Sequence, residues 1–423
     1  MSGREWGTFV LLILMYVFLM ADSRLMSAIV PELSAEYGVS KQALGLVGTA
    51  FVLTGAVTAL AVGFWCDRWS RKKLLLITVV VGEIPCLLTG FEWFTSSFAA
   101  FTVLRMLTGI GMGGIGPITY SLVADYFREE HRAKAAAGIT VAWAVGILMG
   151  PSLAGYLTNS YGWRLGFLLA AAPNFPLALL FACVAKEPRR GARDPAPKVK
   201  RPTSGAGNWR RVLANRVNVA MYLQGLFGAI PWGITGFWAI YYFETVSGMS
   251  KANATSLQNL VGLGAILGTV AFGVLGDRLH RRRPSRVPLM CGVGVLIGIL
   301  PFLTLFRWSV QTTSLALLLP IALLAGFIAA CAGANIKAIV MNNNAPEQRG
   351  AAFGVLSLTD SIGPGLGPLL GAMIFEWWGM RAGMNFAIAW WVPCGFAFII
   401  CGLMLDRRWR KSMSVRCSLA VPT

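Results

Sequence analysis

The chain has 423 residues, 56% of them hydrophobic and only 13% charged, with a mean hydropathy of +0.63. A soluble domain carries about 25% charged residues, so a wholly water-facing surface is excluded and lipid must solvate much of the molecule. The formal net charge of +19 does not signal nucleic-acid binding, because the basic residues collect in short turns between apolar runs and not along one polar face.

A helix needs about 20 mostly apolar residues to cross a bilayer. Twelve runs meet that need, at 7–30, 42–65, 74–96, 98–124, 134–158, 163–185, 214–243, 254–276, 287–306, 312–341, 351–376 and 381–405. The first is too long for a signal-peptide core, and no small-residue cleavage site follows it. Twelve spans put both ends of the chain on one side. On that side lie 29 of the 37 Lys and Arg residues, which makes it cytoplasmic by the positive-inside rule. The expected organisation is a six-helix bundle over 1–185 and a Lys-, Arg-, Pro- and Gly-rich cytoplasmic linker over 186–211. A second bundle follows over 212–406, then a basic cytoplasmic tail over 407–423. The chain reads as an all-α protein of the cell membrane.

The two bundles repeat one another. Between spans 2 and 3 stand Gly63, Asp67, Arg68 and Arg71; between spans 8 and 9 stand Gly273, Asp277, Arg278 and Arg281, each 210 positions later. Span 5 carries Gly146, Gly150, Pro151 and Gly155, and span 11 carries Gly363, Gly367, Pro368 and Gly371. Small residues let helix backbones approach closely, and proline permits a bend. Duplicated bundles are a common way of building secondary transporters.

With both charged turns correctly spaced in a twelve-span chain, the sequence resembles the major facilitator superfamily over essentially its whole length. The resemblance implies two pseudo-symmetric six-helix bundles around a central cavity. It also implies that the charged turns gate the cycle by latching the outward-open state. Charges that only set topology are the competing reading. The Gly-Pro segment of span 5 resembles one typical of proton antiporters in the superfamily.

Ionisable residues inside a membrane span are costly, so each is a functional candidate. They are Asp22, Arg24, Glu83, Arg105, Lys337 and Asp360. Asp22 in span 1 and Arg105 in span 4 are similar to the pair in spinster-type lipid transporters and in organic-anion symporters. There the carboxylate is a proton site, and the arginine tunes it or holds an anionic substrate. Arg24 is a competing partner for Asp22. Glu83, beside Gly82 and Pro85, is a second candidate for proton coupling. Arg105, Trp232, Trp238, Asn335, Lys337 and Asp360 are candidates for substrate binding, while static ion pairing, snorkelling and an interfacial aromatic belt are the alternatives.

Eight Cys without CxxC spacing and two His in turns (His131, His280) give no metal site, and no GxxxxGK[ST] loop points to ATP. The expected function is a proton-coupled secondary transporter of a small organic solute, an organic anion or an amphiphile. It is expected to be a monomer without cofactor, with protons, lipid and a small-molecule substrate as its partners. An exporter of lysolipids or hydrophobic drugs, and a receptor or scaffold on a transporter fold, remain as alternatives.

Overall fold

The computed structural model describes residues 3–66, 68–127, 129–188, 206–311 and 314–419. Asp67 and most of the expected linker lie outside the described residues. In chain order the helices are α1 (Gly3–Leu25), α2 (Val30–Tyr37), α3 (Lys41–Cys66), α4 (Arg71–Thr89), α5 (Phe98–Tyr126), α6 (Glu129–Tyr161), α7 (Arg164–Ala171) and α8 (Asn174–Val184). The second half follows with α9 (Ala206–Ala214), α10 (Arg216–Thr245), α11 (Lys251–Arg282), α12 (Arg286–Gln311), α13 (Leu315–Ala329), α14 (Gly333–Asn343), α15 (Pro346–Ala389) and α16 (Trp391–Leu419).

Local chemistry sets many of the boundaries. Ser70, Ser97, Asn215 and Ser250 cap α4, α5, α10 and α11, each accepting a backbone N–H two or three residues on. The interruptions also have causes. The sixth span divides into α7 and α8 at Pro173, the tenth passes through a 3-10 turn at Ala330–Ala332, and α15 turns at Gly379 with φ of 73°. A positive φ there suits glycine, so α15 contains the eleventh span and the start of the twelfth.

Nine stretches among the described residues are long and apolar enough to cross a membrane, one of them running over Ala351–Arg410 and holding two spans. The two expected spans outside that set are polar for a reason. α4 carries Lys72, Lys73 and Glu83, and α10 dilutes its apolar content with Gln224, Pro231 and several glycines.

Within the first half α1 packs on α6, and α5 on both α3 and α4; within the second α10 packs on α15, α11 on α13 and α12 on α16. The halves meet mainly where α3 packs on α15 and α6 on α11, and α10 also touches α2 and the 3-10 turn at Met26–Ala28. At these seams a side chain is often unaffordable. A Cβ on Gly45 would lie 2.6 Å from the Pro368 carbonyl oxygen, and one on Gly155 would lie 1.9 Å from Thr255 Oγ1. Within the halves the packing is as close: an added Cβ would collide with the Ala229 carbonyl oxygen at Gly363, with that of Ala21 at Gly150 and with that of Val17 at Gly146. Gly367 and Gly371 pack on Gly233 and Trp238, and Pro151 is buried. Gly63 differs: open space surrounds it, so the close approach expected of it is not made in this conformation.

Hydrogen bonds between described residues join the halves at one face, that of the odd-numbered turns. Gln42 donates to Glu376, Tyr156 and Ser256 share a bond of 2.9 Å, and Asn259 donates to Ser152 at 2.7 Å. Lys251 reaches across to the Ala28 carbonyl oxygen at 2.9 Å and to Glu32 at 2.8 Å. At the even-numbered turns the polar contacts between described residues stay within a half. The cavity described next lies behind the closed face.

Candidate functional site

Near the C-terminal end of α1, Asp22 faces Arg105 of α5. Arg105 Nη1 donates to Asp22 Oδ1 at 2.9 Å, and Nη2 donates to Oδ1 at 3.0 Å and to Oδ2 at 3.1 Å. Both residues are 2% exposed. The guanidinium also lies over the Phe167 and Phe51 rings, at 4.8 and 5.3 Å from their centroids, so water is excluded from most of it. This fork-on-carboxylate geometry is the strongest form of the ion pair. Arg24 does not make it.

Glu83 of α4 joins the same buried region and is 0% exposed. Its Oε1 accepts from Asn174 Nδ2 at 2.8 Å, while Oε2 has no hydrogen-bond partner among the described residues. Asn174, the first residue of α8, is a partner that sequence reasoning missed; its signal was one amide in an otherwise apolar run.

Arg24 is the surprise. Its stem packs on Gly150 of α6, and its guanidinium rests 3.3 Å from where a Cβ on Gly236 of α10 would stand. Among the described residues no carboxylate pairs with it. It borders two adjoining cavities at once. The smaller, about 150 Å³, is lined by Asp22, Ser23, Arg105, Phe51 and Phe237 among others. The larger, about 450 Å³, runs along α10 past Gln224, Trp232, Trp143, Gln258, Asp360 and Trp391. Such a volume suits a small organic molecule. Its walls are mostly apolar and aromatic, with Arg24 and Asp360 as their charged groups.

The structure sorts the expected substrate residues. Trp232 lines the large cavity and stands edge-on to Trp391 at 5.5 Å. Asp360 lines it too, with its Oδ1 2.6 Å from where a Cβ on Gly225 would sit. Trp238 does not reach it: the ring is fully buried and its Nε1 donates to the Pro368 carbonyl oxygen at 2.9 Å, so it is a packing residue. Asn335 is turned into the bundle, donating to the Phe272 and Cys331 carbonyl oxygens at 3.0 and 2.9 Å. Lys337 is exposed on α14, outside the cavity lining but with its field reaching Asp360.

The charged turns divide as well. Arg71 is buried and tied to Asp125 and, through Nε at 3.1 Å, to Glu187. Glu187 also accepts from Ser70 Oγ at 2.7 Å and from the Lys72 N–H at 2.8 Å. Burial alone would push its carboxyl up, but these hydrogen bonds outweigh that and hold it below the usual glutamate value of 4.5. Arg71 therefore joins elements of the first half. Arg68 covers the Phe64 ring at 3.5 Å. Asp277, Arg278 and Arg281 are exposed and make no ion pair with another described residue.

Comparison with known proteins fits this geometry. The model of the family described as Major Facilitator Superfamily matches residues 12–310 and 285–414. The chain is 28% identical to the cis,cis-muconate transport protein of Acinetobacter baylyi, over 62% of this chain and 64% of that protein's length. It is 27% identical to the gallate transporter of Pseudomonas putida, over 68% of each. A bacterial homologue of the human lysosomal transporter Spinster, solved inward-facing and unoccupied, superimposes with a TM-score of 0.85 at 22% identity, covering 96% of this chain and 98% of that one.

Proposed function

Because the chain belongs to the Major Facilitator Superfamily, we propose that this transporter couples the uptake of small organic anions to protons, with Arg24 as the anion receptor and Asp22 as the proton site. It is a membrane transporter and not an enzyme. The observation that carries the reading is the placement of an unpaired arginine between the sealed Asp22–Arg105 pair and the large cavity. The names of the muconate and gallate transporters point to the same substrate class.

The coupling follows from charge. An anion held by Arg24 brings negative charge to the edge of the small cavity that Asp22 also lines. In a low-dielectric setting such charges interact by several kcal/mol, so the anion favours proton uptake by Asp22. Protonation weakens the grip of Asp22 on Arg105. Arg105 is then available to the incoming carboxylate, and anion and proton move together. Glu83 sits behind the pair as a reserve carboxyl.

In the proposed orientation both termini and the even-numbered turns are cytoplasmic in the cell membrane. The closed face is then exterior and the conformation inward-open. Bundles over 1–185 and 212–406, acting as a monomer, would rock about the cavity.

Uptake of labelled gallate and cis,cis-muconate into proteoliposomes tests this. An acid-outside gradient is expected to drive accumulation. Asp22→Asn is expected to abolish that drive while keeping counterflow exchange, and Arg24→Ala to lose both. Wild-type pH dependence in Asp22→Asn, or full exchange in Arg24→Ala, overturns the assignment.

A further inference from the structure

The large cavity has a second charged end. Asp360 of α15 opens onto it beside Gly225, and no hydrogen bond or ion pair within 4 Å from a described residue satisfies its carboxylate. Arg24 reaches the same cavity beside Gly236. Both glycines belong to α10, eleven residues apart. At 1.5 Å per residue that separation is about 16 Å along the helix axis, before either side chain leans inward. Between them the walls are mostly apolar and aromatic, with Trp143, Trp232 and Trp391 beside the amides of Gln224 and Gln258. The cavity is thus a slot with a cation at its deep end, near the closed face, and an anion toward its open end.

A single-ring monocarboxylate held at Arg24 would leave Asp360 untouched and most of the slot filled with water. A dicarboxylate long enough to fill it would place its second charge against Asp360, and like charges at such range are unfavourable.

We propose that Asp360 selects for elongated substrates that carry a carboxylate at one end and a hydrogen-bond donor or ammonium group at the other, bridging Arg24 and Asp360. The proposal rests on Arg24 as the anion receptor and adds the opposite end of the ligand. Arg24 sits in the first half and Asp360 in the second, so a bridging molecule also ties the two bundles to each other. Short anions lack that tie.

A ladder of straight-chain ω-amino carboxylates serves as a ruler, with plain carboxylates of equal length as controls and dicarboxylates long enough to span the slot as the repelled class. Binding to the purified full-length protein is measured by calorimetry. The ω-amino series is expected to show a length optimum, with its ends on the order of 10–16 Å apart. At that length it should bind about tenfold tighter than the plain acid, the effect of one added charge-assisted hydrogen bond. In Asp360→Asn that ratio should fall to about one, and dicarboxylates of the same length should gain on the plain acid; a thermal melt confirms that the variant is folded. No length optimum, or an unchanged ratio in Asp360→Asn, overturns the proposal. The latter result is what a carboxylate committed to Lys337 would give. Arg24→Ala separates the two readings: it should weaken plain and ω-amino acids alike. If it weakens neither, the anion receptor itself is misplaced.

Discussion

At the scale of single residues, the Asp22–Arg105 pair is a high-stakes contact because each group is only 2% exposed. Removing one partner of a buried pair costs about 3–5 kcal/mol, whereas replacing both with apolar groups can be nearly neutral. Arg105→Met is therefore expected to lower stability in detergent by about that amount, and Asp22→Leu combined with Arg105→Met to recover most of it without recovering uptake. Chemical unfolding monitored by tryptophan fluorescence reads both. If the double variant is no more stable than the single, the pair is not the source of the loss. These two residues were legible in the sequence because ionisable groups in apolar runs are rare and costly. Their pairing was offered by the resemblance, with Arg24 as the competing partner. Asp22 had Arg24 two residues away and Arg105 far along the chain, and residues two apart on a helix do not share a face. Only the fold shows that the distant arginine takes the carboxylate and leaves Arg24 for the cavity.

At the scale of elements, the two halves use one device twice. Glu187, just after α8, accepts from Ser70, Arg71 and Lys72 at the start of α4. Asp406 in α16 accepts from Ser285 Oγ at 2.9 Å and from Arg283 at 2.6 Å, just before α12. In each case an acid at the end of a half's last span fastens the start of its third, where a helix N-terminus favours negative charge. The folded state holds the Glu187 carboxyl below its ordinary value. The stability it contributes is therefore complete above the ordinary glutamate value and is lost as pH falls through the lower, folded one. Thermal melts of the native protein and of Glu187→Gln should differ most near neutral pH and converge as pH drops from about 5 toward 3. A gap that widens on acidification would refute the sign. The sequence displayed the basic half of this device, the charged turns, and hid the acids, which looked like an ordinary linker residue and the last residue of the second bundle. Helix ends showed a similar split. Long apolar runs located the spans, but the 3-10 turns at Met26–Ala28 and Ala330–Ala332 left no mark, because no proline or charge announces them.

At the scale of the whole molecule, duplication and span count could be read directly, while the choice of closed face could not. That choice depends on contacts between residues a hundred or more positions apart. Lys251 is the clearest. It caps the closed face with its side chain 1% exposed, held by Glu244 at 2.9 Å in its own half and by Glu32 and the Ala28 carbonyl oxygen in the other. In the sequence it is one lysine in a short turn. In the fold its ammonium is the cation between two carboxylates, and opening that face must expose or re-pair all three groups. Lys251→Met keeps the packing of the stem but leaves Glu32 and Glu244 to repel each other. Both carboxylates are partly solvated, at 23% exposure, so the penalty on the closed state is below the fully buried figure, about 2 kcal/mol. That is a shift of about thirtyfold in the closed-to-open ratio at this face. Spin labels at Tyr161 and Trp378, exposed residues in odd-numbered turns of the two halves, should report it as a long-distance population that grows in Lys251→Met. An unchanged distance distribution would mean that the glycine seams of α3 with α15 and α6 with α11 keep this face shut by packing alone. Conformational bias would then reside in backbone proximity and not in the buried ammonium.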